Sequence, residues 1–408
     1  MISVSTVLVM AGQGVIAPVL PLFARSFGVG AATIGLTLSF FALARLVLNV
    51  PLGVLSDRHG RRLLLVAGPV VTAFGMIGSG FAGDIGTLLA WRLVAGAGSA
   101  MYMTGAQVYL IDISTPENRA RFIATNQGAL LLGVAVGPAI GGLLADWLGF
   151  RAPFFVVGAS ALVAAAYAWR RLPETRHLAV QEAPKARADG ERRAWVTLLV
   201  SRDFLAVSVV TMAIFFTRTG SRLTLMPLLG VDRLGLSASA LGLVFTAMSL
   251  INMIGIAPAA WLADTVGRKW AIVPSGLATA AALALLSLAG NLPVFLAGAM
   301  LLAVATSIAG PAPAAYAADI APPALRGLSM GLYRSAGDVG FVVGPPLLGA
   351  IADSASIEWG LAANGVLVAV VSLLFAAMAH ETVTSRRRSA TAAPVDSVEP
   401  QEPGAAVK

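Results

Sequence analysis

The feature that most constrains this 408-residue sequence is a set of polar and turn-forming residues that recurs at one constant offset. The two members of every pair lie 207 residues apart. The pairs are Asp57 and Asp264, Arg61 and Arg268, Asp112 and Asp319, Arg119 and Arg326, Gly137-Pro138 and Gly344-Pro345, Asp146 and Asp353, and Glu174-Thr175 and Glu381-Thr382. An offset that holds over a whole half predicts two structurally equivalent halves with almost no insertions between them.

Long uncharged apolar stretches separate these residues and predict membrane-spanning helices. The chain is 57% hydrophobic and only 12% charged, whereas soluble domains carry about 25% charged residues. It has no cysteine, which argues against a disulfide-stabilised secreted domain. A spanning helix needs about 20 apolar residues, and twelve such stretches fit the sequence. We therefore predict an all-α polytopic membrane protein with twelve transmembrane helices. Because six is even, its two six-helix repeats would be parallel.

The distribution of positive charge predicts the orientation. Twelve spans place both termini on one side, and that side receives twenty of the arginines and lysines against three on the other. Positive residues accumulate in cytoplasmic loops, so we expect a multi-pass protein of the cell membrane with both termini in the cytoplasm. The predicted regions are an N-terminal half (1–170), a cytoplasmic linker (171–202), a C-terminal half (203–380) and a disordered cytoplasmic tail (381–408). The basic residues form no nucleic-acid-reading face.

The loop after the second predicted span carries a dense pattern of glycine, aspartate and arginine. It consists of Gly53, Asp57, Arg58, Gly60, Arg61 and Arg62, and its repeat copy retains Asp264, Gly267 and Arg268. Glycine permits a tight turn, and arginine favours the anionic inner leaflet. The pattern resembles the signature loop of the major facilitator superfamily, whose two halves are themselves the known example of parallel repeats. The resemblance implies that the loop is a conformational latch between the halves. The copy lacks the leading glycine and the first basic residue.

Two further motifs occupy the fourth and fifth predicted spans. Arg92, followed by two glycines, is similar to the family's helix-four motif, whose arginine is implicated in proton transfer. The alternative is that Arg92 extends to the outer membrane interface. The fifth span resembles the antiporter motif of family exporters and carries a stripe of small residues: Gly133, Gly137, Pro138, Gly141 and Gly142. Such stripes also serve ordinary close packing, and a partial copy in the eleventh span weakens the inference about direction.

Charged residues inside the predicted spans are few: Arg45, Arg92, Arg218, Arg222, Arg334 and Asp338. Intramembrane charges are costly and usually mark a function. Asp338 is the acidic residue at mid-depth, and a buried carboxyl group can take up and release a proton as its surroundings change. Asp338, Arg92 and Arg334 are therefore the proton-coupling candidates. The alternative is a static Arg334–Asp338 pair.

The remaining polar residues at mid-depth are candidates for the substrate cavity: Gln13, Asn49, Tyr102, Arg218, Arg222 and Asn252. Each could instead form a hydrogen bond between helices. The excess of arginine hints at a negatively charged substrate. No phosphate-binding loop or intramembrane metal cluster is present in the sequence.

These features predict a transporter rather than an enzyme. We expect proton-coupled export of small amphipathic molecules by alternating access of the two halves, with no cofactor or metal and the proton gradient as the energy source. Proton-coupled uptake or facilitated transport of a small polar or anionic metabolite is the alternative. The expected partners are a small-molecule substrate and the lipid bilayer, and the expected functional unit is a monomer. A membrane receptor or multi-pass enzyme is disfavoured by the repeat and the motifs.

Overall fold

The computed structural model describes residues 2–115, 118–178, 201–322 and 326–383, so most of the predicted linker and tail lies outside the described residues. Over these ranges the chain is helical and contains no β-strand. The N-terminal helices are α1 (Ile2–Ile16), α2 (Leu20–Arg25), α3 (Ala31–His59), α4 (Arg61–Phe81), α5 (Ile85–Asp112), α6 (Arg119–Leu148) and α7 (Ala152–Arg171). A short 3₁₀ turn follows at Arg176–Leu178.

The C-terminal half repeats this order with one additional break, at Gly310. Its helices are α8 (Arg202–Phe216), α9 (Met226–Leu234), α10 (Ala238–Thr265), α11 (Arg268–Ser287), α12 (Leu292–Ala309), α13 (Pro311–Ile320), α14 (Arg326–Ser354) and α15 (Ile357–Met378). A π-helical segment, Thr217–Leu225, joins α8 to α9. The turn between α11 and α12 lies around Gly290.

Ten helical stretches in the described residues are long and apolar enough to cross a membrane, and α1 is a shorter apolar helix. Large apolar side chains on these helices are extensively exposed, including Phe74 at 63% and Ile254 at 71%. In a soluble protein such exposure would favour aggregation. It instead fits a lipid-facing surface, and the chain is a multi-pass membrane protein.

The helices form two bundles that meet along two long contacts. Helix α3 of the first half packs on α14 of the second, and α6 packs on α10. The offset of 207 relates these contacts, because it maps α3 onto α10 and α6 onto α14. We call the end with the turns at Gly60 and Gly267 the motif end. The opposite end, which carries Asp146 and Asp353, is the far end.

The apolar core distinguishes the two ends. At the far end a single buried cluster includes residues of both halves, such as Phe23 and Phe154 from the first half and Leu229 and Phe295 from the second. Towards the motif end, each half instead has its own cluster. One contains Tyr109 and Leu172, and the other contains Tyr316 and Phe375. In the part of the chain that the structure describes, the halves therefore share a buried apolar cluster at the far end only.

Candidate functional site

A cavity of about 330 Å³ lies between the halves. Its first-half wall comes from α1, the turn after it and α6, and the residues there are Gln13, Gly14, Ala17, Leu131, Val134 and Pro138. The second-half wall includes the aromatic residues Phe215, Phe245 and Phe341 and the arginines Arg218 and Arg222. Gln13, Arg218, Arg222 and Asn252, all cavity candidates from the sequence, line this one space. The cavity is thus mostly apolar, with its charge on one side.

The two cavity arginines lie on the π-helical segment. A π-helix has wider turns than an α-helix and recurs at functional sites. Here it sets Arg218 and Arg222 about one turn apart, near enough to interact electrostatically. Arg222 donates a long hydrogen bond of 3.4 Å to the Ser249 hydroxyl, and its guanidinium lies 5.8 Å from the centre of the Phe245 ring. Its Nε is buried with no hydrogen-bond partner among the described residues.

The polar cavity residues Gln13 and Asn252 are held by their own halves. Gln13 donates to the Ser99 hydroxyl at 3.3 Å. The Asn252 side-chain amide donates to two backbone carbonyls, Met248 at 2.9 Å and Ala303 at 3.0 Å. These bonds orient both amides at the cavity wall and leave the Asn252 oxygen facing Thr306.

Three other predicted residues lie apart from this cavity lining. Tyr102 is fully buried inside the first half, and its hydroxyl is 2.9 Å from the Thr6 hydroxyl. Asn49 is half-buried on α3. Arg92 is 3% exposed, donates to the Thr37 carbonyl at 3.2 Å, and lies 4.6 Å from the centre of the Phe41 ring. Arg92 is therefore enclosed within its own half rather than extended to the outer interface.

Asp338 lies on α14, which packs against α3 of the other half. It is half-buried and interacts electrostatically with Arg334 on its own helix and with Arg45 on α3. The described ion pairs closer than 4.0 Å include none formed by Asp338. The Arg45 Nε is buried with no hydrogen-bond partner in the described part of the chain. The geometry therefore adds Arg45, from the opposite half, as a neighbour of Asp338.

The first signature loop forms a buried network around Arg61. Its side chain is 6% exposed and contacts Asp112 at 2.7 Å and Asp57 at 3.2 Å. Gly60, with a φ of +96°, makes the turn between α3 and α4 that only glycine adopts readily. Asp57 is 70% exposed in this network, and Arg58 is also exposed. Gly53 faces open space.

Glu174, beyond the end of α7, binds the backbone of the same loop. Its carboxylate accepts the backbone N–H groups of Arg61 at 2.9 Å and Arg62 at 3.1 Å, at the start of α4. Burial opposes ionisation of Glu174, but these bonds and those from Thr175 and Arg176 outweigh it and hold its pKa below the usual range. Arg62 reaches back to the Trp169 carbonyl at 2.5 Å. The loop is thus fixed to the last helix of its own half.

The second loop repeats this network position by position. Arg268 pairs with Asp264 and, at 3.3 Å, with Asp319. Glu381 accepts the backbone N–H groups of Arg268 at 2.9 Å and of Lys269 at 3.0 Å. Gly267, with a φ of +142°, makes the turn. The repeat copy therefore forms a complete intra-half network although it lacks the leading glycine and the first arginine.

The glycine stripe of the fifth predicted span packs α6 directly on α1. A Cβ added at Gly133 would lie 2.8 Å from the Ala11 nitrogen, and one at Gly137 would lie 2.6 Å from the Gly14 Cα. Gly141 meets the Val15 backbone in the same way. Gly142 and Pro138 instead approach the backbone of α10 in the other half. The stripe thus joins a helix of the cavity wall to both of its neighbours.

The far end carries a pair of equivalent contacts between the halves. Asp353 accepts the backbone N–H groups of Ala31 at 2.6 Å and Ala32 at 2.9 Å, at the start of α3. The equivalent Asp146 accepts those of Ala238 at 3.1 Å and Ser239 at 2.9 Å, at the start of α10. An ionised carboxylate at a helix N-terminus is favourable because it meets unpaired N–H groups and the positive end of the helix dipole.

An ion pair completes the far end. Arg25 contacts Asp232, whose position is 207 residues further along the chain. Equivalent positions meet only near the axis that relates the halves, so this pair marks the axis. The cross-half hydrogen bonds and ion pairs that the structure describes all lie here or near mid-depth. The cavity is therefore closed at the far end, and the two motif loops are bonded within their own halves.

Sequence reasoning did not assign roles to Arg25, Asp146, Asp232 or Asp353. The repeat already contained the signal for two of them, since the carboxylates recur at the 207-residue offset. Their partners are backbone N–H groups of the opposite half, which no side-chain pattern reveals. The described residues hold no group of three or more His, Cys, Asp or Glu that could bind a metal ion.

The sequence and the fold of this chain are similar to those of known transporters. An uncharacterized MFS-type transporter of Methanocaldococcus jannaschii is 26% identical over 86% of this chain and 90% of its own length. Multidrug resistance protein 2 of Bacillus subtilis is 25% identical over 84% of this chain and 85% of its own. A bacterial homologue of the human lysosomal transporter Spinster, solved in an inward-facing and occupied conformation, has a TM-score of 0.78 at 17% identity over 92% of this chain and 95% of its own.

The Major Facilitator Superfamily matches the chain twice, over residues 2–237 and 210–403. The two matches together span nearly the whole sequence, one over each half of the repeat. They confirm the resemblance that the signature loops carry. The chain belongs to the major facilitator superfamily.

Proposed function

We propose that this protein is a proton-coupled exporter of small amphipathic molecules that works by alternating access of its two halves. The observation that carries the proposal is the cavity between the halves, which is closed at the far end by equivalent contacts from both. Each of these contacts joins a side chain of one half to a helix terminus of the other. Rocking of the halves would break them and expose the cavity on that side.

The membrane arrangement follows from the same proposal. The ten long apolar helical stretches, together with α1 and α5, would make twelve spans. The positive charge near the motif end supports a cytoplasmic location for that end. The structure would then represent the inward-facing state. We propose a monomer in the cell membrane, with both termini cytoplasmic and no bound cofactor.

Export is the direction we favour. The chain shares 25% identity over most of its length with a protein named for multidrug resistance, and its α6 carries the glycine and proline stripe that resembles the antiporter motif. The mostly apolar cavity suits an amphipathic substrate better than a sugar-like one, because sugars need many hydrogen-bonding side chains.

Asp338 is the proposed coupling residue, because it interacts electrostatically with Arg45 across the contact between the halves. As a carboxylate it attracts Arg45 and draws α3 and α14 together. Proton binding removes that attraction and eases their separation. Arg334 tunes the same carboxylate from its own helix. Arg92 stays a second candidate, although it is enclosed in its own half.

Asp57 is the proposed latch residue. It is the exposed member of the Arg61 network, so it is free to contact the opposite half when the motif end closes. Asp57→Asn should change access to the cavity while the fold stays intact. Thiol labelling of cysteines introduced in the cavity wall would measure this, and unchanged labelling would contradict the latch.

Transport in everted membrane vesicles tests the whole proposal. We would impose an acidic vesicle interior and follow a panel of anionic, neutral and cationic amphipathic dyes. Export predicts dye accumulation that disappears when an uncoupler collapses the gradient. Vesicles that carry an Asp338→Asn protein are the control for coupling. Dye loss from everted vesicles, or gradient-independent flux, would instead support uptake or facilitated transport.

A further inference from the structure

The central cavity has an uneven distribution of charge. Among the described residues, its first-half wall contains no charged side chain, and its second-half wall contains Arg218 and Arg222 but no acidic side chain. Arg218 is exposed to the cavity although protein surrounds it, and Arg222 is half-buried. Positive charge is therefore concentrated on one wall of a mostly apolar space.

Neither arginine has a carboxylate partner among the described ion pairs. The two guanidinium groups repel each other, and Arg45 adds a third positive charge close to Arg218. Asp338 interacts electrostatically with Arg45 and Arg334, and no acid is among the electrostatic partners described for Arg218 and Arg222. A positive group in a low-dielectric site is costly unless an opposite charge or hydrogen-bond acceptors compensate it.

Arg222 also has few hydrogen-bond acceptors around it. Its one described hydrogen bond is the 3.4 Å contact with Ser249, and its Nε has no partner in the described residues. A guanidinium offers five N–H donors in a planar fork that matches a carboxylate or sulfonate. Most of those donors therefore have no acceptor among the described hydrogen bonds.

We infer that this cavity binds amphipathic organic anions, with the anionic group on Arg218 and Arg222 and the apolar body between the first-half wall and the phenylalanines of the second-half wall. This inference rests on the proposed transport function and names its substrate class. Phe215, Phe245 and Phe341 on the charged side favour an aromatic body. A volume of about 330 Å³ suits a ligand with one or two rings.

Calorimetric titration with three matched probes tests the inference. The probes share one naphthalene ring: 2-naphthoate carries a negative charge, 2-naphthalenemethanol is neutral and 2-naphthylmethylammonium is positive. The full-length protein would be titrated in phosphatidylcholine nanodiscs, and empty nanodiscs would correct for partitioning into lipid. We expect 2-naphthoate to bind at least about tenfold more tightly than the other two, which is the difference that one charge-assisted hydrogen bond would give.

Four variants locate the preference. Arg222→Gln and Arg218→Gln should each weaken 2-naphthoate binding about tenfold and leave the neutral probe unchanged. Arg222→Lys keeps the charge without the planar fork and should retain part of the preference. Arg170→Gln removes the same charge from an exposed helix end and should change none of the three affinities.

Three binding results would overturn the inference: equal or tighter binding of the ammonium probe, no binding of 2-naphthoate at millimolar concentration, or equal loss of all three probes in Arg222→Gln. Gradient-driven dye transport without any charge preference would contradict the anionic substrate class but would still support the proposed exporter function. Anion-selective binding without gradient-driven transport would support the anionic ligand class but would contradict the proposed exporter function.

Discussion

At each end of this molecule, a set of positions 207 residues apart carries the same residues and makes the same contacts, whereas the charged residues of the cavity region have no such counterparts. At the motif end, Arg61 and Arg268 build equivalent networks, and at the far end Asp146 and Asp353 cap equivalent helices. In the cavity region, the positions 207 residues before Arg218, Arg222 and Asp338 are Ala11, Val15 and Leu131.

This difference follows from what each region contacts. Each half supports its own loop, and each contributes one cap to the other, so both halves need the same residues there. A single ligand in the cavity faces both halves at once. One charged group on one wall is enough to orient it, and a copy on the opposite wall would bring a second costly buried charge.

The largest expected effect comes from Asp338, which has no acidic counterpart. Asp338→Asn keeps the size of the side chain but cannot carry a negative charge. We expect gradient-driven transport in proteoliposomes to fall to the level of protein-free liposomes. Substrate exchange at equal pH should persist, because it needs the cavity but no net proton movement. Normal gradient-driven transport by this variant would assign Asp338 a structural role only.

The Arg61 network should give the largest effect on stability. Arg61→Gln leaves the buried Asp112 without its ion-pair partner, and breaking such a pair costs about 3 kcal/mol of unfolding free energy. A double-mutant cycle with Asp112→Asn should give a stronger coupling than the cycle of Arg268 with Asp319. The reason is geometry, since the first pair is closer, 2.7 Å against 3.3 Å, and its arginine is less exposed. Equal couplings would show that the two networks are energetically as well as positionally equivalent.

The far-end caps should control which side of the cavity is open. Replacing both Asp146 and Asp353 by Asn removes two carboxylates from helix N-termini, each worth about 1 kcal/mol. We expect the population that is open at the far end to rise about tenfold or more. Spin labels at Phe81 and Leu288, exposed equivalent positions at far-end helix termini, would report a longer distance. The chain has no cysteine that would interfere with labelling.

Asp84 provides a matched control for these caps. It also accepts a backbone N–H at a helix start, from Thr87 at 2.9 Å, but within its own half. Asp84→Asn should leave the label-to-label distance unchanged. A change as large as that of the cap variant would mean that the distance reports local helix stability rather than contact between the halves.

The constant offset of 207 identified the equivalent residues of the two motif loops from the sequence alone, because it needs no knowledge of their contacts. It could not show which way a side chain points. Arg92 and Arg222 both read as charges in apolar helices, yet one packs against Phe41 in its own half and the other lines the cavity. The π-helical segment also escapes sequence analysis, because the stretch Thr217–Leu225 contains no proline or other local signal for a wider turn. Arg45 gained its role only when packing of α3 on α14 brought it near Asp338.

The smallest expected effect is the pH dependence that Glu174 confers. Because its pKa is lower in the folded protein than in the unfolded chain, Glu174 stabilises the fold at neutral pH. That contribution is present above the unfolded pKa, about 4.3, and disappears as the pH falls through the lower folded value. Glu174→Gln should therefore lower the melting temperature at pH 7 and have progressively less effect as the pH falls below about 4.3. Since Glu381 caps α11 in the same way, Glu381→Gln is the test of equivalence. If only one of the two variants loses stability at pH 7, Glu174 and Glu381 occupy equivalent positions but do not contribute equally to the free energy of unfolding.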